Sequence, residues 1–93
     1  NYQPFVDGIF WDTERGVKIK LEGVELIPEC VVNITFRNDK KSKAWIWKQE
    51  SWTNGEEKTF STPQGELTYD PTSIAIVISF PDTAYTRKVS IDP

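Results

Sequence analysis

The chain has 93 residues, 38% of them hydrophobic and 27% charged, with a formal net charge of −3 and no histidine. This length and composition predict one globular domain, residues 1–93, whose core needs no metal or disulfide. The net negative charge argues against a nucleic-acid-binding protein, because binding along a phosphate backbone requires clustered Lys and Arg. The basic run at residues 37–43 is interpreted as a solvated turn between two strands.

Apolar residues alternate with polar ones in short runs along the chain, which is the period of half-buried β-strands. The predicted strands, in chain order, are residues 5–11, 17–21, 30–36, 44–53, 57–62, 66–69, 73–80 and 86–91. Gly, Pro, Asn and Asp residues separate them as turn formers. About eight short strands predict an all-β fold, an antiparallel β-sandwich of immunoglobulin-like or jelly-roll-like type. The most apolar strand, residues 73–80, is predicted to be central and covered on both faces.

Cys30, at the start of the third predicted strand, is the single cysteine. It can form no internal disulfide, and without histidine it has no partner for a Cys–His nucleophile, so we predict a small buried hydrophobe. A single cysteine and no histidine argue against a zinc site. Calcium binding by carboxylates in the turns stays open. We predict no cofactor. No phosphate loop or catalytic carboxylate pair is indicated, and the protein is expected not to be an enzyme.

No segment approaches the roughly 18 consecutive apolar residues that crossing a bilayer requires, so no membrane association is expected. The chain opens on Asn1 without an initiator Met or a signal peptide and closes on Pro93. We interpret it as one domain of a longer protein.

Three of the four tryptophans lie within residues 44–52. Their direction depends on the hairpin that Asn54 and Gly55 predict between residues 44–53 and 56–62. A two-residue type I′ loop would place Trp45, Trp47 and Phe60 on one face, where the two indoles would belong to the core.

A three-residue loop closed by a glycine bulge would shift the register by one residue and turn Trp45 and Trp47 outward. It would also pair Glu50 with Lys58 across the two strands. Both registers stay open at this point. In either one, Trp52 points away from the other two indoles while the strand is regular. Trp11 and Tyr69 are expected to be packed.

An outward pair at Trp45 and Trp47 would form an apolar strip with indoles about 7 Å apart, suited to the C–H face of sugar rings. In size, strand pattern and aromatic content over the whole chain, the protein resembles the small β-sandwich carbohydrate-binding modules of secreted bacterial glycoside hydrolases. In those modules exposed tryptophans stack on glycan chains. The resemblance implies a monomeric, extracellular, non-catalytic module that keeps a tethered catalytic domain on plant polysaccharide of β-glucan or hemicellulose type.

The predicted site combines stacking indoles with polar neighbours. Its ligand-binding residues are Trp45, Trp47, Trp52, Gln49, Lys48 and Glu50. The alternative function is an immunoglobulin-like or fibronectin-like spacer or protein-interaction domain of a surface or phage protein. All of its tryptophans would then be core or corner residues.

Overall fold

The computed structural model of the protein describes residues 5–12, 16–22, 26–27, 29–50, 52–82 and 85–93. Within these ranges the chain forms strands, turns and loops and contains no helix. The strands are β1 (Phe5–Asp12), β2 (Gly16–Glu22), β3 (Leu26–Ile27), β4 (Cys30–Asn38), β5 (Lys41–Gln49), β6 (Trp52–Thr53), β7 (Glu57–Ser61), β8 (Ser73–Phe80) and β9 (Tyr85–Ile91). The all-β prediction is confirmed, and β8 has the predicted bounds.

The strands form two antiparallel sheets, one with the order β1-β2-β7 and one with the order β5-β4-β8-β9. A short pair, β3-β6, adds a further ladder. The strand β5 pairs with β4, at the end of the order of the four-stranded sheet. The strand β5 is therefore one edge of the four-stranded sheet, and β7 is one edge of the three-stranded sheet.

The core lies between the two sheets and is built from alternate residues of their strands. This follows from the two-residue period of a strand, which sends every second side chain to the same face. Burying each of these branched or aromatic side chains contributes about 1.5–3 kcal/mol. The most fully buried, at 0–2% exposure, are Val17, Ile19, Leu21, Cys30, Val32, Ile34, Phe36, Trp52, Phe60, Ile74, Ile76, Ile78 and Phe80. The predicted burial of Cys30 is confirmed.

The position predicted for β8 is confirmed, because it pairs with β4 on one side and β9 on the other. The prediction that both its faces are covered is wrong. Its inner-face residues are buried, whereas Ser73, Ala75, Val77 and Ser79 on its outer face are partly exposed. Small and β-branched side chains on a half-solvated face explain why the run looked continuously apolar.

The predicted strand at residues 66–69 is a turn and loop instead. The N–H of Glu66 donates to the carbonyl of Pro63 at 3.1 Å, and Gly65 has φ +82°. The alternating residues Leu67 and Tyr69 are buried nevertheless, as the pattern predicted. Their burial comes from the loop folding over the sandwich edge.

Four hydrogen bonds attach this loop, residues 62–72, to the end of β4, one of them from Oγ1 of Thr72 to the carbonyl of Arg37 at 3.3 Å. The hydroxyl of Tyr69 donates to the carbonyl of Phe36. The N–H of Thr72 donates to the carbonyl of Arg37 at 2.7 Å, and Nδ2 of Asn38 donates to the carbonyl of Asp70. The loop therefore closes the sandwich beside the β4–β5 turn.

Neither predicted register of the Asn54-Gly55 hairpin is present. The turn exists: the N–H of Glu56 donates to the carbonyl of Thr53 at 2.9 Å, and Gly55 has φ +79°. Asn54 does not have the positive φ that a type I′ turn requires.

The turn joins β6 to β7, while β5 pairs with β4 in the other sheet. A bend at Glu50 separates β5 from β6. Both registers are therefore wrong, because turn residues specify a local reversal and not which strands pair.

Candidate ligand-binding edge

One face of β5 carries a continuous row of side chains along the open edge of the sandwich. The β4–β5 ladder contains no bulge, so alternate residues of β5 point to the same side. We call the five residues on the side of the three-stranded sheet the β5 row: Lys41, Lys43, Trp45, Trp47 and Gln49. At about 3.3 Å per residue the row is roughly 26 Å long, with about 7 Å between neighbours.

The two indoles of the β5 row pack edge-on against core phenylalanines. The Trp45 ring lies 5.7 Å from the Phe36 ring at 63°, and the Trp47 ring lies 5.5 Å from the Phe60 ring at 61°. Both side chains are only partly buried, because β5 is an edge strand. Trp47 and Phe60 share a side, as one register predicted, although their strands are in different sheets. The indoles neither stand free of the sheet nor lie sealed within it.

The polar residues predicted around the indoles are divided between the two faces of β5. Gln49 belongs to the β5 row, and its Nε2 donates to the carbonyl of Lys48 at 2.9 Å. The side chain of Lys48 is exposed on the opposite face, at the position paired with Val31. Glu50 is exposed just beyond the end of the strand. Only Gln49 of the three joins the indole pair.

Trp52 is part of the core and has 1% of its surface exposed. Its Nε1 donates to the carbonyl of Glu56 at 2.8 Å, and its ring lies 5.8 Å from that of Phe60. The Nζ of Lys58 lies 5.9 Å from the Trp52 ring centroid. The predicted ligand-binding role of Trp52 does not fit this burial, because the strand breaks before it and turns the ring inward.

The lysine end of the β5 row was missed by the sequence-based site prediction. Lys41 and Lys43 are exposed. Lys43 Nζ donates to the carbonyl of Glu66 at 2.8 Å, and Lys41 Nζ lies 5.7 Å from the Tyr69 ring centroid. Open grooves of about 320 and 400 Å³ adjoin them. The alternation that identifies the row begins at Lys41, whereas the predicted strand began at residue 44.

A second exposed aromatic, also missed, lies on the opposite side of the sandwich. Phe10 of β1 is 58% exposed, with Lys18 Nζ at 6.0 Å from its ring centroid. An open groove of about 520 Å³ lies between Phe10, Trp11 and Ile91. Trp11 is partly buried and packs on Phe36 at 5.7 Å, as Trp45 does. Phe10 was missed because Ile9, Phe10 and Trp11 form an unbroken apolar run, in which alternation does not show which side chain is exposed.

Burial and hydrogen bonding shift the pKa values of two ionisable groups among the described residues, Cys30 and Glu56. Burial raises the pKa of the Cys30 thiol to about 11, which keeps it protonated and unreactive. A hydrogen bond from the Thr53 N–H lowers the pKa of the Glu56 carboxyl, and Lys58 adds to this effect. In the described ranges, no three Cys, Asp or Glu residues are grouped as metal ligands would be. Those ranges likewise hold no helix of the length and apolarity needed to span a membrane.

Comparison of the chain with protein-family models, with curated proteins and with solved structures finds no match.

Proposed function

We propose that the protein is a non-catalytic polysaccharide-binding module whose ligand lies along the β5 row, and that it holds a tethered catalytic domain on its substrate outside the cell. The observation that carries the proposal is the pair of partly exposed indoles, Trp45 and Trp47, two positions apart on an edge strand. Large aromatic side chains at an edge present apolar surface to a partner while their inner sides stay packed.

Polar groups at both ends of the indole pair support the proposal. The amide of Gln49 follows Trp47 in the β5 row, and the ammonium of Lys43 precedes Trp45. Sugar rings combine an apolar C–H face with a rim of hydroxyls, and such a surface matches both parts. The length of the row, roughly 26 Å, is suited to an extended chain of several sugars rather than to a single one.

The spacer function is the second candidate, and one observation favours it. Trp45 and Trp47 each contact a fully buried phenylalanine, Phe36 and Phe60, so both indoles also stabilise the sandwich. Sandwiches of this architecture serve many functions, and the architecture alone does not choose between them.

Affinity electrophoresis against a panel of soluble plant polysaccharides separates the two candidates. The binding function predicts that at least one β-glucan or hemicellulose retards the protein, and that Trp45→Phe or Trp47→Phe reduces the retardation at least fivefold. Phenylalanine keeps apolar packing, whereas Trp47→Ala would cost up to about 3–5 kcal/mol of stability and confuse the result.

Trp11→Phe is the matched control for Trp45→Phe. Both changes replace an indole that packs on Phe36 at 5.7 Å by a smaller phenyl ring, but Trp11 lies on the opposite edge. The binding function predicts normal retardation for the Trp11 variant. No retardation by any polysaccharide in the panel would leave the spacer function.

A further inference from the structure

We infer that the polysaccharide bound along the β5 row is acidic, with carboxylates on its sugars that pair with Lys41 and Lys43. This inference rests on the proposed function and specifies the chemical class of its ligand. It starts from the order of side chains in the row, in which two ammonium groups continue the line of two indoles and an amide.

Lys41 and Lys43 lie on the same side of β5 as Trp45 and Trp47. The unbroken β4–β5 ladder requires this, and the contacts of both lysines agree with it. Lys43 Nζ binds the Glu66 carbonyl and Lys41 Nζ lies over the Tyr69 ring, so both ammonium groups are held at the loop that covers this edge. A chain lying on the indoles and running toward the β4–β5 turn therefore meets two fixed positive charges.

Both lysine ammonium groups keep hydrogen-bond donors that can bind a ligand. An ammonium group has three donors. Lys43 donates one of its three hydrogen bonds to the neutral carbonyl of Glu66. The ammonium group of Lys41 contacts the face of the Tyr69 ring. Neither contact neutralises the charge, so each group keeps the capacity for a charge-assisted hydrogen bond to a carboxylate.

The local charge differs in sign from that of the whole chain. Residues 37–43 hold four basic side chains and one acidic one. The covering loop adds two carboxylates, Glu66 and Asp70, so the formal net charge at this end of the sandwich is +1. The chain as a whole is at −3. A nucleic acid or another uniformly dense polyanion would be repelled by most of this surface. An acidic polysaccharide, with charges spaced along apolar rings, matches both parts of the row.

Grooves beside the lysines provide space for substituents on such a chain. The two open grooves of about 320 and 400 Å³ share Lys40, Lys41 and Tyr69 in their walls. A sugar that continues the chain from the indoles toward the β4–β5 turn would place its carboxylate in this space, beside Lys41 and Lys43.

The test compares two soluble derivatives of the same β-glucan backbone, carboxymethylcellulose and hydroxyethylcellulose, which differ in charge. Affinity electrophoresis is expected to show at least fivefold stronger retardation by carboxymethylcellulose, despite the negative net charge of the protein. The difference is expected to shrink as salt rises from about 0.01 M to about 0.15 M, because the Debye length falls from about 30 Å to about 8 Å.

Lys41→Gln combined with Lys43→Gln is expected to weaken binding to carboxymethylcellulose about five- to tenfold. Binding to hydroxyethylcellulose is expected to weaken less, because glutamine loses the charge but keeps an N–H donor for sugar hydroxyls. The loop stays attached through the hydrogen bonds of Tyr69, Thr72 and Asn38, which this variant leaves in place. The matched control is Lys18→Gln combined with Lys20→Gln, which removes the same charge at the same spacing from β2, in the other sheet. This control is expected to bind both polymers normally.

Four results would overturn the inference, and they point to three distinguishable conclusions. Equal retardation by both polymers would leave the proposed function standing and remove the acidic ligand. Equal losses in the two double variants, or equal retardation by single-stranded DNA, would mean general attraction of polyanions. Retardation by no polysaccharide, neutral or acidic, would remove the proposed function as well.

Discussion

At the scale of single residues, neighbouring indoles of this chain have different environments. Trp45 and Trp47 are partly exposed at a sheet edge, whereas Trp52, five positions later, is 1% exposed and donates a hydrogen bond from its ring nitrogen. The alternation around Trp45 and Trp47 was enough to place them on one face. The burial of Trp52 depends on the bend at Glu50, which no local pattern marked.

Tyr69→Phe tests the attachment of the covering loop at this scale. The change removes only the hydroxyl that donates to the buried carbonyl of Phe36. We expect a loss of about 1–2 kcal/mol in the free energy of unfolding. Urea denaturation measures it. An unchanged midpoint would show that the hydroxyl contributes nothing to the attachment.

Cys30 makes a second residue-scale prediction, on pH. Burial raises its thiol pKa from 9.0 to about 11, so the folded chain keeps a proton that the unfolded chain releases. The thiol therefore lowers stability as pH rises from 9 to about 11 and has no such effect below 9. Cys30→Ala should show a smaller loss of stability over this range, measured by urea denaturation at each pH. Identical pH profiles for the two proteins would contradict the assigned pKa.

At the scale of strands and turns, most elements could be predicted from the sequence, whereas their pairing could not. Strand alternation is local, and β2, β4 and β8 were located within a few residues. The partner of β5 is set by contacts across the whole chain, so the Asn54-Gly55 turn suggested a neighbour that belongs to the other sheet. The site prediction failed for separate reasons. It kept Lys48, which alternation places on the far face, and it left out Lys41 and Lys43 because the predicted strand began at residue 44.

Gly55→Ala tests the turn between β6 and β7. The φ of +79° disfavours any side chain, and an added Cβ would lie 3.7 Å from Oε1 of Glu22, which is an ordinary contact. We expect the free energy of unfolding to fall by about 1–2 kcal/mol, because alanine is strained in the left-handed conformation. Thermal unfolding followed by circular dichroism measures the change.

Gly8→Ala is the matched control, since nothing lies within 4 Å of its Cβ position and its φ is not positive. Its effect should stay within about 0.5 kcal/mol. Equal effects of the two glycine substitutions would contradict the turn conformation.

At the scale of the whole molecule, the sandwich presents different chemistry at its two open edges. The edge with β5 and β7 carries indoles, an amide and lysines in one row, whereas the edge with β1 and β9 carries Phe10, Trp11 and Ile91 around an open groove. The antiparallel sandwich itself was predicted from short alternating strands and is confirmed. Function was predicted from aromatic content and stays a proposal, since identical sandwiches serve as binders and as spacers.

The most direct test of the proposed edge uses the four indole N–H signals in a ¹H–¹⁵N correlation spectrum. Each tryptophan gives one signal, and that of Trp52 is expected to exchange slowly with solvent because its Nε1 is buried and hydrogen-bonded. Titration with a polysaccharide that retards the protein should shift the Trp45 and Trp47 signals and leave those of Trp11 and Trp52 in place. Shifts confined to Trp11, or no shift at Trp45 and Trp47 under saturating ligand, would contradict binding along β5.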